Sequence, residues 1–143
     1  MSDCIFCKVL SGDIPVSKVY EDEKVLAFLD IRPINPGQCL VVPKIHVDHF
    51  TDLPDELAAH IMITAKKIGH KLKEILKPTR VGYNVHGFGV PHAHLSVIPL
   101  QTETDITSAK AAYIKDGEVA FDEDRIKLAD KSELDKNAEL LRT

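Results

Sequence analysis

Polar and apolar residues alternate between positions 92 and 99, and this alternation constrains the fold more than any other feature of the sequence. His92, His94 and Ser96 are polar, whereas Ala93 and the other intervening residues are apolar. A period of two is that of a β-strand, so the pattern predicts these three polar side chains on one face of a sheet. The alternative interpretation is a pair of exposed surface histidines on an edge strand.

The composition is typical of a globular protein of one domain. The chain has 143 residues and a net charge of -4, which gives no basis for binding nucleic acid. No apolar run is long enough to span a membrane, and the N-terminus lacks the pattern of a signal peptide. The three cysteines are an odd number, and two of them form a C-x-x-C motif. We therefore expect reduced thiols and a cytoplasmic location, without nucleic-acid or membrane partners.

Short strands and one long helix are predicted along the chain. A short N-terminal helix is expected to end at Gly12, and the apolar run Val25–Leu29 predicts a strand buried on both faces. Further strands are predicted over residues 16–20, 39–43, 80–86 and 92–99. Apolar residues at helical spacing predict a long amphipathic helix that ends near Lys77, with Thr51 or Asp52 as its cap.

The end of the chain is polar and less informative. Residues 108–113 are expected to form a helical turn and residues 115–118 a turn, and residues 122–142 are charged and helix-prone. We therefore expect a domain of residues 1–103 and a C-terminal extension of residues 104–143, helical and packed on or beside that domain.

The C-x-x-C motif of Cys4 and Cys7 has three interpretations. A redox pair usually opens a helix after a strand, and no strand is predicted before this one. A buried pair of cysteines would need no chemistry. A zinc site would need two more ligands of the kind that zinc prefers. Four histidines are available for it: His46, His49, His86 and His92.

The histidine strand is also suited to nucleophilic chemistry. A neutral imidazole can attack phosphorus if a backbone carbonyl holds one ring N–H and leaves the other nitrogen free. Gly87 and Gly89 would let backbone amides approach the phosphate, and Asn84 would add a neutral donor. Asp30, at the end of a buried strand, is the candidate for binding ribose hydroxyls. Its alternative role is that of a strand-end or turn cap.

Several segments, in order between about residues 3 and 100, together resemble the histidine triad (HIT) family. They are residues 4–8, 25–31, 36–37, 40–44 with His46, and 92–99. The resemblance implies an α+β fold with a five-stranded antiparallel sheet, a short N-terminal helix and one long amphipathic helix. It also implies a homodimer that binds purine nucleotides. Members hydrolyse or transfer nucleoside monophosphates from phosphoramidates and dinucleoside polyphosphates.

The resemblance also implies roles for individual residues at the nucleotide. His94 matches the middle histidine of the family, the nucleophile that becomes nucleotidylated, and His92 matches the first histidine. Asp30 matches the acidic residue that binds the ribose, and Ile31 matches the residue near the base. Asn84 matches an asparagine near the phosphates.

A zinc ion is implied in members that begin with C-x-x-C. Its ligands here would be Cys4, Cys7, His46 and His92. Zinc on His92 would also stiffen the segment that carries His94.

Ser96 departs from the family pattern, because a third histidine usually occupies its position. The stretch before His92 is also shorter than in many members. Serine donates a hydrogen bond but cannot act as an acid near neutral pH, so its presence could cost ~10²-fold in rate. The first hypothesis is a nucleotidyl hydrolase or transferase with reduced activity. The alternatives are a catalytically weak nucleotide-binding or regulatory module and a zinc-stabilised scaffold without a nucleotide site.

Overall fold

A computed structural model describes residues 3–107 and 111–142 of the chain, which contain three helices and seven strands. The helices are α1 (Ile5–Ser11), α2 (Asp55–Ile75) and α3 (Lys131–Leu141). The strands are β1 (Lys18–Glu21), β2 (Val25–Leu29), β3 (Cys39–Pro43), β4 (Arg80–Asn84), β5 (Leu95–Leu100), β6 (Ala112–Lys115) and β7 (Glu118–Phe121).

The first five strands form one antiparallel sheet in the order β1-β2-β3-β5-β4, and β6 and β7 form a separate hairpin. The α+β architecture predicted from the sequence is therefore confirmed. The long helix α2 and the C-terminal helix α3 bury their apolar faces against one side of the sheet, here called the inner face. Every residue of β2 is buried, as its continuous apolar run predicts.

Helix α1 begins and ends where the sequence places it. Cys4 is the N-cap residue, and its sulfur accepts a hydrogen bond from the backbone N–H of Cys7 at 3.5 Å. Gly12 ends the helix with φ of 89°, a left-handed conformation that glycine adopts without steric cost. The C-x-x-C spacing therefore puts both sulfurs at the N-terminal end of this helix.

Helix α2 begins later than predicted. Thr51 and Asp52 lie in a short 3₁₀ turn, and Pro54 is the N-cap residue of α2, without a side-chain cap. The reason is Pro54 itself, since a residue before proline avoids the helical region, and Leu53 is extended. At the other end the helix closes at Ile75, slightly before the predicted position.

The outer face of the sheet carries two separate apolar clusters. The N-terminal cluster joins α1 to β2 and β3 through Cys4, Phe6, Val9, Leu26, Phe28 and Val42. The C-terminal cluster contains Ile34, Ile98, Ala111 and Ile126. Between them lies a half-buried row of paired residues from three strands, Leu40, Ser96 and Asn84. This outer row is where polar groups meet the open face of the sheet.

Several sequence-based element boundaries need correction. Strand β5 begins at Leu95, so His92 and His94 precede the strand instead of lying on it, and β4 ends at Asn84. Tyr113 belongs to β6 and not to a helical turn, and positions 108–110 of that predicted turn lie outside the described residues. The turn at 115–118 is confirmed by the left-handed Asp116 and Gly117. Helix α3 occupies only the second half of the predicted segment.

Within the ranges that the structure describes, no helix has both the length and the apolar character that a membrane crossing requires.

Candidate active site and metal centre

His92 is fully buried, so the interpretation of both histidines as exposed surface residues is wrong. Its Nε2 lies 2.9 Å from the carbonyl oxygen of Pro43. A carbonyl only accepts hydrogen bonds, so Nε2 carries the proton and Nδ1 presents a lone pair to the opposite side. Burial lowers the pKa of His92, and the neighbouring His46 and His94 add to that effect. These effects favour the neutral ring, and the hydrogen bond to Pro43 fixes its orientation.

Four ligand atoms converge on the unprotonated side of that ring. They belong to Cys4, Cys7, His46 and His92, and all of them lie within 4.8 Å of one another. The contacts between neighbouring atoms are 3.2, 3.3, 3.5 and 3.7 Å. In a tetrahedral zinc site with bonds of about 2.0–2.3 Å, neighbouring ligand atoms lie roughly 3.3–3.8 Å apart. The donor types and their spacing are compatible with zinc.

The thiol of Cys7 is unfavourable to ionise by itself. Burial and the neighbouring sulfur of Cys4 raise the pKa of Cys7. A bound divalent cation has the opposite effect, because it favours the thiolate. Of the four histidines considered from the sequence, His49 and His86 are not part of the cluster. His49 lies beside Asp48, and the ring of His86 contacts that of Phe88.

His94 differs from His92 in its exposure, because its side chain is only half-buried. Its Nδ1 lies 2.8 Å from the carbonyl oxygen of His92. Because a carbonyl only accepts, Nδ1 carries the proton and donates the hydrogen bond. Nε2 then presents its lone pair. The edge-to-face contact of Phe6 with this ring, 5.2 Å between centroids, further fixes its orientation. A carbonyl-held imidazole of this kind has the form that nucleophilic attack on phosphorus requires.

Phe6 was not singled out by the sequence analysis. It stands between the two cysteines, packs on Phe28 of the sheet, and contacts the rings of both His92 and His94. The available sequence signal was its position between the two cysteines. Phe6 lies two residues after the N-cap Cys4 and therefore in the first turn of α1.

The outer row places Ser96 opposite Asn84 on the neighbouring strand. Ser96 lies two residues beyond His94, and both polar side chains are half-buried. The loop between β4 and His92 is open. Gly87 has φ of 88°, and a Cβ atom added at either Gly87 or Gly89 would meet no atom within 4 Å beyond its chain neighbours. These glycines therefore leave open space above the loop backbone.

Asp30 follows β2 and is held by a network that the sequence analysis did not predict. Its carboxylate accepts hydrogen bonds from the backbone N–H of Arg32 at 2.8 Å and from Nε2 of Gln38 at 3.1 Å. Gln38 is buried, and its Oε1 accepts the N–H of Ile34 at 2.8 Å. The side chain of Ile31 is 58% exposed. The available sequence signal for this support was a glutamine directly before the predicted strand 39–43.

Comparisons with known proteins identify the family of this chain. A HIT domain matches residues 11–103. "Protein hit" of Bacillus subtilis is 41% identical over 104 residues, which span 68% of this chain and 70% of that protein. Adenosine 5′-monophosphoramidase hnt1 of Schizosaccharomyces pombe is also 41% identical over 104 residues, with 70% of this chain and 76% of the relative covered.

A solved structure resembles nearly the whole chain. It is a zinc-bound histidine triad family protein from Mycobacterium smegmatis, which is 29% identical with a TM-score of 0.73 and covers 99% of this chain and 91% of its own. The matched domain contains all five strands of the sheet together with His92 and His94. Since the aligned 104 residues of the Bacillus subtilis relative are also 41% identical, this chain belongs to the HIT-domain family.

Proposed function

We propose that the protein is a hydrolase or nucleotidyl transferase that acts on purine nucleoside phosphoramidates or dinucleoside polyphosphates. The observation that carries the proposal is the His94 ring, with Nδ1 bound to the His92 carbonyl and Nε2 presenting a lone pair. The name of the fission-yeast relative, an adenosine 5′-monophosphoramidase, supports the same class of substrate.

The proposed reaction proceeds in two displacements at the α-phosphorus. Nε2 of His94 attacks, a bond from nitrogen to phosphorus forms, and the bond from phosphorus to the leaving amine or phosphate breaks. The leaving amine takes a proton from solvent, because the Ser96 hydroxyl cannot supply one near neutral pH. The ring then carries a positive charge, which strengthens the hydrogen bond from Nδ1 to the His92 carbonyl. Water attacks phosphorus, loses a proton and releases the nucleoside monophosphate with His94 restored.

The nucleotide would lie along the outer row. Asn84 and Ser96 would donate hydrogen bonds to the phosphates, with the open backbone of Gly87 and Gly89 beside them. The remaining contacts fall on the nucleoside. Asp30 would accept the ribose hydroxyls, which suits a carboxylate already oriented by two donors, and the exposed Ile31 would contact the base.

We also propose that Cys4, Cys7, His46 and His92 hold a structural zinc ion. Bound zinc would stabilise the thiolates and tie α1 to the segments that contain His46 and His92. The hydrogen bond from His92 Nε2 to Pro43 supports this assignment, because it fixes the tautomer that a metal ligand needs. The role of His92 in catalysis is then to hold the backbone carbonyl that orients His94.

The domain organisation and assembly are proposed on the basis of the family resemblance. Residues 1–103 form the HIT-like domain, residues 104–143 form a C-terminal extension, and the chain assembles as a homodimer. The match of the HIT domain to residues 11–103 supports the boundary. One chain has a mass of 15.9 kDa, and sedimentation equilibrium of the full chain at micromolar concentration is expected to give twice that value.

The test of the reaction is capture of the covalent intermediate. Adenosine 5′-phosphoramidate is mixed with the full-length protein, the reaction is quenched in alkali, and the peptides are examined by mass spectrometry. We expect an adenylyl group on His94 and none in the His94→Asn variant. An adduct on another residue, or turnover without any adduct, would contradict the proposal.

A further inference from the structure

The C-terminal segment after β7 lies against the loop that carries Asp30 and Ile31. This segment connects the two sides of the sheet, because Ile126 packs in the C-terminal cluster on the outer face and Leu134 packs in the core of the inner face. Where it passes the loop, the N–H of Ala129 donates to the carbonyl of Ile31 at 2.9 Å. The segment is therefore anchored on both sides of the loop it touches.

Arg32 connects this segment to Asp30. Its Nη1 donates to the carbonyl oxygens of Asp124 and Ile126, at 3.3 and 3.2 Å. Its own backbone N–H is the donor to the Asp30 carboxylate at 2.8 Å. The side chain of Asp124 contributes little, because it is 82% exposed and 3.7 Å from the guanidinium. The backbone carbonyls, and not the acidic side chain, are the partners that hold Arg32.

Packing alone leaves the outer side of the loop incompletely filled. A cavity of about 370 Å³ lies between Pro33 and Pro36 of the loop and the segment from Arg125 to Asp130. The loop has no strand ladder of its own, and two prolines and a glycine shape its backbone. Arg32 and Ala129 therefore hold the loop beside this space. Their hydrogen bonds add to those that Gln38 makes with Asp30 and Ile34.

We propose that Arg32 is a positioning residue through which the C-terminal segment sets the placement of the Asp30 carboxylate, and thereby the affinity for the ribose of the nucleoside. The proposal rests on the proposed function, in which Asp30 binds the ribose. Without the two bonds from Nη1, the loop would have to become ordered when the nucleotide binds, which raises KM. The rate constant at His94 stays the same, because neither its ring nor its carbonyl partner contacts Arg32.

The experiment compares steady-state kinetics of the full-length wild type, Arg32→Ala, Arg32→Lys and Asp124→Ala on adenosine 5′-phosphoramidate. We expect Arg32→Ala to raise KM about tenfold with kcat within about twofold of wild type, since two charge-assisted hydrogen bonds are lost. Arg32→Lys keeps one donor and is expected to lie between. Asp124→Ala is the matched control, because it removes the exposed carboxylate but keeps the carbonyl acceptor, and both constants should stay within about twofold.

Dependence on the ribose separates positioning from a general structural effect. The KM increase in Arg32→Ala is expected on the riboside substrate and not on its 2′,3′-dideoxy analogue. It should also vanish when Asp30 is already Asn, because the effect of Arg32 passes through that carboxylate. An unchanged KM in Arg32→Ala, or an equal increase on the dideoxy substrate, would overturn the inference.

The failure of the proposed function gives a different result. If the wild type turns over neither class of substrate, the proposed reaction is wrong, and the same variants are compared by equilibrium binding of AMP. A higher Kd for Arg32→Ala than for Asp124→Ala would support the role of Arg32 in that case as well. Equal Kd values for the two variants would refute it.

Discussion

His92 and His94 are two residues apart in the sequence, and they differ in burial and in what surrounds the second ring nitrogen. His92 is fully buried, with one nitrogen on a backbone carbonyl and the other among three metal-type ligands. His94 is half-buried, with one nitrogen on a carbonyl and the other presenting a lone pair. In the proposed mechanism one short segment therefore separates structural support from chemistry, since the carbonyl of the first residue orients the ring of the second.

The largest effect is expected at His94. The His94→Asn variant keeps a donor that can reach the His92 carbonyl but has no nucleophile, so kcat/KM should fall by about 10³-fold or more. The melting temperature should change by less than about 2 °C, because the ring is only half-buried. Kinetics and thermal unfolding on the same preparation check both values. His86→Asn, in the exposed loop, is the control and should retain activity; an active His94→Asn protein would remove the proposed difference between the two histidines.

The converse effect is expected in the metal cluster. Cys7→Ser should abolish stoichiometric zinc binding and lower the free energy of unfolding by at least about 3 kcal/mol, because structural zinc contributes directly to folding. Atomic absorption and denaturant unfolding measure the two quantities. Cys39→Ala is the matched control, since that thiol is buried outside the cluster and its removal should leave the metal content unchanged. A wild-type protein without metal, with a melting temperature unaffected by chelator, would contradict the prediction.

A smaller effect is expected at Ser96, on the strand that follows His94. Ser96→His supplies an acid or base near the leaving group and should raise kcat by about tenfold or more, with a smaller change in KM. Ser96→Ala should lower kcat by less than tenfold. Steady-state measurements of kcat and KM distinguish the variants. If the wild type binds AMP without turnover, and the Ser96→His variant turns over substrate, the chain is the nucleotide-binding module considered above and not an enzyme.

The smallest expected effect is on stability at low pH, and it concerns the pair of Asp22 and His60, which lies outside the candidate site. Nε2 of half-buried His60, on α2, lies 2.7 Å from Oδ2 of Asp22. Burial raises the pKa of Asp22, but hydrogen bonds from Tyr20, from two backbone amides and from His60 outweigh it and hold that pKa below its usual value. A carboxyl whose pKa is lowered by folding adds stability above its unfolded pKa, and this stability is lost as the pH falls through its folded value.

The Asp22→Asn variant therefore tests how the unfolding free energy depends on pH, separately from catalysis. Its unfolding free energy should fall less steeply than that of the wild type below about pH 4, where the unfolded carboxyl begins to take up a proton. Denaturant unfolding at a series of pH values gives the two slopes. kcat/KM at neutral pH should be unchanged, and equal slopes for the two proteins would show that Asp22 makes no such contribution.

The parts of the structure that follow from local signals were predicted well. Gly12 ends α1, and the apolar run of β2 is buried on both sides. The pattern around position 92 was extended too far, because period two describes side-chain direction and not strand pairing. The N–H of Ala93 donates to the carbonyl of Val47 instead of to a neighbouring strand, so the regular ladder begins only at Leu95.

The candidate site was predictable only where its residues form a recognisable motif. Gln38 and Arg32, which orient Asp30, belong to no motif and were not predicted. The role of Arg32 depends on residues that are distant in the sequence, since 94 positions separate it from Ile126. Gln38 lies only eight residues from Asp30, but their contact requires the loop between them to fold back. Phe6 was missed for the same reason, since its contact with His94 exists only after α1 docks on the sheet.

The sequence by itself determined the local conformations: the capped turn that brings Cys4 near Cys7, the glycine that ends α1, and the apolar periods of the strands and of α2. The family resemblance, and no local signal, pointed to His46 and His92 as partners of the cysteines. Tertiary structure alone decided which of the two neighbouring histidines is buried and how the C-terminal segment reaches Asp30. The physical reason is the range of the interactions. Caps and side-chain periods act over a few residues, whereas the contacts of Cys4 with His92 and of Arg32 with Ile126 require the sheet to be assembled first.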